Sequence, residues 1–215
     1  PGTADLVFVP YVERMNASLA YFKGFALRQE HPGIDRWFNA LEQLATYRGT
    51  QSDVHTHAHD LPPQMGGCWS NGSPEQQAMA HAVDQGAGLA ELETSWSTQI
   101  EDDGVMSSQR ALERVLRHRS ALMARNPLGA AFDQPLRAAL TYLMSGNLCQ
   151  PNTDTAYGLR YLRDRISVPR DMPLQSARLL RKALESTAAL DGEAQPAPPA
   201  FENRFDQDPR PFLNP

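Results

Sequence analysis

Cysteine is scarce in this chain of 215 residues: Cys68 and Cys149 are its only two. That is too few for a disulfide framework and suits an intracellular, reducing compartment. No run of 18 apolar residues occurs, so no segment reads as a membrane span. Basic charge is not in excess. The net charge is −5, which argues against nucleic acid as a main partner, because that role needs a positive surface. There is no βαβ pattern, no Cys-x-x-Cys, and no glycine-rich phosphate loop, since Gly66-Gly67 follows no strand and precedes no lysine. No secretory leader stands at Pro1, and a start at proline suggests that a leader or a further domain has been removed.

What is present is helical periodicity. Hydrophobic residues make up 41% of the chain, enough to bury a core, and its length suits one domain with appendages. The first stretch is the most apolar. Leu6, Val9, Val12, Met15 and Leu19 recur at steps of three and four, while Val7 and Phe8 make the first two turns apolar nearly all round. A helix of that kind is expected to be surrounded by other elements. The pattern therefore predicts a central helix over 5–21, kinked at Pro10, with Asp5 capping its start and Leu6 and Phe8 covered by later helices, a partner subunit or a missing part. A second helix opens at Pro32 and carries Ile34, Trp37, Phe38, Leu41 and Leu44 on one stripe, with Trp37 as a core residue.

Further helices are predicted along 74–190. Ser73-Pro-Glu-Gln starts one with Ala78, Met79, Ala82 and Val83 facing in. Another is expected over 89–100. Ser107 or Ser108 caps a long helix with Leu112, Val115, Leu116, Leu122 and Met123 on its apolar face, stopped by Asn126-Pro127. The next opens at Asp133 with Leu136, Leu140, Leu143 and Met144 and ends at Gly146; one from Asn152 or Thr153 reaches Ile166; a last one ends near Leu190. The arginine-rich parts 110–125 and 160–182 read as solvated helix faces or as a docking surface for an acidic partner, with Arg114 and Arg117 as interaction candidates. Residues 191–215 hold Pro196, Pro198, Pro199, Pro209, Pro211 and Pro215, and are expected to form a flexible tail.

Residues 51–73 carry the chemistry. Pro62-Pro63, Gly66-Gly67 and Asn71-Gly72 punctuate the segment and it has no apolar stripe, so a loop is predicted. Its run His55-x-His57-x-His59-Asp60 allows two geometries. Extended backbone points three imidazoles one way; helical backbone puts only His55 and His59 on one face. Either could hold Zn²⁺ or another borderline metal through His55, His57 and His59, with Asp53 or Asp60 completing the shell; alternatively the polar side chains pin an irregular path. Cys68 lies between Gly67 and Trp69 with no assignable base to activate it.

Several of these residues carry a family resemblance. Thr3-Ala-Asp-Leu, the run Pro10-Tyr-Val-Glu-Arg-Met, and Pro32-Gly-Ile-Asp-Arg-Trp-Phe-Asn-Ala-Leu-Glu resemble the later half of the all-helical C-terminal domain of glutathione S-transferases. Asp5 matches the acidic member of that family's capping box, and Gly2 stands where the family has Ser or Thr. The run Tyr47-Arg-Gly-Thr-Gln-Ser-Asp-Val-His-Thr-His-Ala-His-Asp-Leu-Pro-Pro-Gln-Met-Gly-Gly-Cys looks like the signature of a transferase-like branch from photosynthetic lineages. The resemblance covers 1–69 and implies a helical bundle with residues 74–190 as an extension, and a plastid location. The family's glutathione-binding half is thioredoxin-like, and no such pattern occurs here. The expectation is thus an all-α domain over 1–190 that does not transfer glutathione by itself and acts as a binding or structural subunit, with another subunit or a missing N-terminal domain as partner. The alternatives are the C-terminal part of a thiol-dependent transferase whose catalytic domain lies upstream, and a metal-binding module. Glutathione enters only with such an upstream domain.

Overall fold

The structure, a computed structural model, describes residues 2–65, 67–85 and 104–192. Among them the fold is all-α, with eleven α-helices, two short 3-10 turns and no strand. The helix expected over 89–100 and the tail from 193 onward lie outside the described residues.

Six helices form the first half: α1 (Thr3–Lys23), α2 (Leu27–Glu30), α3 (Pro32–Glu42), α4 (Ala45–Thr50), α5 (Val54–Met65) and α6 (Pro74–Asp84). α1 runs unbroken through Pro10 and packs on α5 and α6. Its start is as expected: Gly2 is the N-cap, and its N–H donates to Asp5 Oδ2 at 2.6 Å. Asp5 Oδ1 also accepts from Trp37 Nε1 at 2.7 Å, which ties α3 to the first turn of α1. Trp37 is consequently half-buried rather than central, and the buried aromatic of α3 is its neighbour Phe38. α1 ends at Gly24, whose left-handed backbone (φ 67°) lets the chain turn where a Cβ would lie 2.4 Å from the backbone nitrogen of Gln76. Ser73 caps α6 as its sequence predicts, accepting from the Gln76 N–H at 3.1 Å.

The second half contains α7 (Gly104–Arg117), α8 (Arg119–Arg125), α9 (Asp133–Ser145), α10 (Ala156–Arg163) and α11 (Leu174–Ala188). Here lies the larger core, built on Val115, Phe132, Leu136, Leu159, Leu180 and Leu184. α11 packs against α7, α9 and α10 at once. The expectation of a central helix at the N-terminus is thus overturned: α11 holds that place, and Leu6, Val7 and Phe8 are 69%, 55% and 59% exposed. The reason is steric. α1 meets α5 and α6 through Ala17 and Ala20, whose small side chains allow close approach, and its bulky first turns project beyond that contact. Apolarity all round a helix does not say which part of it a neighbour will cover.

Three boundaries also move. The helix expected to run unbroken to Arg125 breaks at His118, and it starts at Gly104, so Ser107 is a buried interior residue rather than a cap. Within α7, Leu116 faces outward, at 53% exposure, while Ala111 and Val115 face the core. α10 begins only at Ala156. Its free N–H groups are met by Asp191, whose carboxylate accepts from Asp154, Thr155 and Ala156 at 3.0, 2.6 and 2.9 Å. Asp191 therefore belongs to the folded body and not to the tail.

Candidate metal centre

The segment expected to be a loop is helix α5. Asp53 is its N-cap: the carboxylate accepts from the Thr56 N–H at 3.0 Å and from the Thr56 hydroxyl at 2.5 Å. The same carboxylate pairs with Arg181 of α11, and Arg181 also donates to Thr56 Oγ1 at 3.1 Å and to the Ile166 carbonyl at 2.7 Å. Arg181 and Asp53 are 1% and 2% exposed. Two further bonds join the halves here, from Ser52 Oγ to the Val168 carbonyl at 2.6 Å and from the Val168 N–H to Thr56 Oγ1 at 3.0 Å. The first turn of α5 is thus fastened to the second half, and that sets the position of the histidines that follow.

Helical backbone resolves the alternating histidines. His55 and His59, four apart, share a face with ring centroids 4.3 Å apart. His57 points elsewhere, with Nε2 at 3.7 Å from Glu13 Oε2, and Asp60 lies with it around a small polar hollow that also includes Arg14 and Arg170. A three-histidine ligand set is therefore excluded by geometry, and so is completion by Asp53, which is engaged with Arg181. Instead, Asp84 at the end of α6 and Asp164 at the end of α10 close on His55 and His59. One ligand atom from each of these four residues lies within 4.8 Å of the others. His59 Nε2 is 2.8 Å from Asp84 Oδ1 and 3.8 Å from Asp164 Oδ1, and His55 Nε2 is 3.6 Å from Asp164 Oδ1.

The surroundings are ionic. Arg163 Nε donates to Asp164 Oδ1 at 2.6 Å, its Nη2 is 3.8 Å from Asp84, and its Nη1 donates to Glu185 at 2.5 Å. Arg160 pairs with Glu185 at 2.9 Å, and Tyr21 donates its phenol to Asp84 Oδ2 at 3.0 Å. Arg160, Arg163 and Arg181 are all buried, so the reading of 160–182 as a solvated or docking face fails for these three arginines, while Arg170 and Lys182 are exposed. The seven-residue pattern of a helix does not distinguish an arginine that faces water from one that faces a buried carboxylate.

Protonation follows from these contacts. Burial, then the Arg181 cation, then His59, push His55 down to about 3, so it is neutral at ordinary pH. Burial also opposes charge on His59, but the Asp164 carboxylate and the bond to Asp84 outweigh it and raise its pKa. Burial works against ionised Asp164 and Asp84 as well; His59 and Arg163 overcome it and hold both below the usual carboxylate range. His55 stands out. It is 3% exposed, and neither ring nitrogen has a hydrogen-bond partner among the described residues, the Asp164 oxygen at 3.6 Å being too far.

Once His59 gives up its proton, two neutral imidazoles and two carboxylates form a donor set that neutralises a divalent ion. Tetrahedral zinc with bonds near 2.0–2.1 Å needs ligand atoms roughly 3.3 Å apart. The distances of 2.8, 3.6 and 3.8 Å straddle that value, and the widest separation in the cluster, up to 4.8 Å, must close by about 1.5 Å to hold the ion. His55 and His59 were readable as a helical i, i+4 pair. Asp84 and Asp164 carried no signal of their own, because each is a helix-terminal acid brought in by packing.

The remaining candidates sit apart. Leu6 and Phe8 are exposed on α1, and Arg117 is on the surface, paired with Glu113 of the same helix. Arg114 lines a cavity in the second half. Cys68 is half-buried, and burial raises its pKa, which disfavours the thiolate. No helix among the described residues is long and apolar enough to cross a membrane. Compared with protein-family models, with curated proteins and with solved structures, the chain has no match.

Proposed function

We propose that this chain is a non-catalytic helical binding module whose ligand is a divalent transition-metal ion, with zinc the best fit to His55, His59, Asp84 and Asp164. The supporting observation is His55: a buried imidazole kept neutral, with no hydrogen bond at either nitrogen among the described residues, close to two carboxylates and a second imidazole. A buried polar group without a partner costs about 1–3 kcal/mol, and a metal ion would supply the missing bond. The test is zinc titration of chelator-treated protein, read by calorimetry and by thermal denaturation. One ion per chain is expected. Free zinc at 100 times Kd adds about 2.7 kcal/mol, which for a chain of this size raises Tm by roughly 5–10 °C. His55→Ala and His59→Ala abolish that gain, and His57→Ala keeps it. Absence of stoichiometric zinc, or equal loss in all three variants, refutes the reading.

A second reading concerns partners. Leu6, Val7, Phe8 and Tyr11 are all more than half exposed along the first half of α1. Burying side chains of this kind contributes ~1.5–3 kcal/mol each, and such a patch marks an interaction face. It fits the role of a subunit or segment within a larger transferase-like assembly, as the resemblance of residues 1–69 implies, with a plastid as the matching compartment.

A further inference from the structure

Away from the metal cluster, wholly within the second half, lies a cavity of about 440 Å³. That is within the ~300–1,000 Å³ usual for small-molecule sites. Its floor is apolar: Phe132, Leu162, Ile166 and Leu180 present side chains from the larger core. Its rim is cationic. Arg114 from α7, His118 at the helix break, Arg125 from α8, Arg165 and Arg170 all line it. Asp171 is the single acidic lining residue, and it is already bonded to Arg170 at 3.2 Å and to the Ser167 N–H at 2.8 Å.

Two features make this arrangement more than a surface dent. The first is local charge: four arginines against one carboxylate, in a chain whose net charge is −5. The second is that the side chains of Arg114 and His118 have no ion-pair or hydrogen-bond partner among the described residues, in contrast to Arg160, Arg163 and Arg181, each of which has a buried acid. Arg165 adds a rigid wall, its guanidinium lying over the Tyr161 ring at 3.6 Å.

We infer that this cavity binds an acidic amphiphile, a small molecule with a carboxylate head and an apolar body. The floor removes the apolar body from water, and the head takes charge-assisted bonds from Arg114 at the rim. A small inorganic anion leaves the floor unused. A neutral hydrocarbon of the same size covers Arg114 without pairing it, and burying an unpaired charge is unfavourable. The metal proposed above plays no part, since none of His55, His59, Asp84 and Asp164 lines this cavity.

The experiment compares decanoate with 1-decanol, both below micellar concentration, by calorimetric titration of the full chain. Decanoate is expected to bind one per chain and at least tenfold tighter than decanol. Arg114→Glu weakens decanoate tenfold or more and leaves decanol unchanged. Arg117→Glu, on the outer surface of the same helix, changes neither. Arg114→Met gives the same loss as Arg114→Glu should the reversed charge disturb folding, and thermal denaturation shows whether it does. Equal affinity for acid and alcohol, equal effects of the Arg114 and Arg117 variants, or no binding of decanoate overturns the inference.

Discussion

Replacing Asp53 by Asn tests how the two helical halves are joined and how the candidate site is held. Asn keeps the side chain's size and one acceptor oxygen for the Thr56 N–H, so α5 retains most of its cap. What it removes is the charge facing Arg181, a guanidinium 1% exposed. Thr56 Oγ1 and the Ile166 carbonyl still accept from that guanidinium, yet neither neutralises it. Breaking one side of a buried pair costs about 3–5 kcal/mol, because the partner charge is stranded away from water. That is about a fifth or more of an ordinary domain's margin of ~5–15 kcal/mol. In urea denaturation followed by far-UV circular dichroism, with a slope of about 2 kcal/mol/M, the midpoint falls by roughly 1.5–2.5 M. Arg181→Met alone strands Asp53 and has a similar cost. The double variant is expected to lose at least about 2 kcal/mol less than the sum of the two singles, because neither charge is then left alone. A midpoint shift below about 0.5 M for Asp53→Asn, or strict additivity in the cycle, refutes the view that this pair fastens α5 to α11.

Two further outcomes follow from the same geometry. Leu6→Asp with Phe8→Asp leaves the unfolding free energy within about 0.5 kcal/mol, since both side chains are exposed, but abolishes any self-association seen by light scattering; a large loss of stability would mean that α1 is covered within the chain. Gly24→Ala destabilises by more than about 1 kcal/mol, because alanine must adopt φ 67° and its Cβ meets the Gln76 backbone nitrogen at 2.4 Å; a neutral result in thermal denaturation would contradict the close approach of α6 to the end of α1.

Local signals were legible wherever a helix has one apolar stripe and a start or stop residue beside it. Pro32 opens α3, Ser73 caps α6 and Gly146 ends α9, all as their residue types predict. Asp5 was readable as the acid at the start of α1 because its partner, the Gly2 N–H, is three residues away. Helix α5 was obscured by its own composition. Polar residues hide its stripe and Pro62-Pro63 reads as a stop, although Asp53 followed three residues later by Thr56 was a cap in plain view.

What the amino-acid sequence determines here is the all-α class, the starts of α1, α3, α6 and α9, and the pairing of His55 with His59 once the backbone is helical, because these depend on neighbours a few residues apart. Tertiary structure alone decided the rest. Asp84 lies 25 residues from His59, and Asp53 lies 128 from Arg181, so no local pattern links either pair. Whether a helical arginine meets water or a buried acid depends on which face its helix presents to the rest of the fold. For α10 and α11 that choice turned three arginines inward and built the charged shell around the histidines. For α1 it went the other way: the alanine contact with α5 and α6 lies in its second half, and the apolar first turns stay outside.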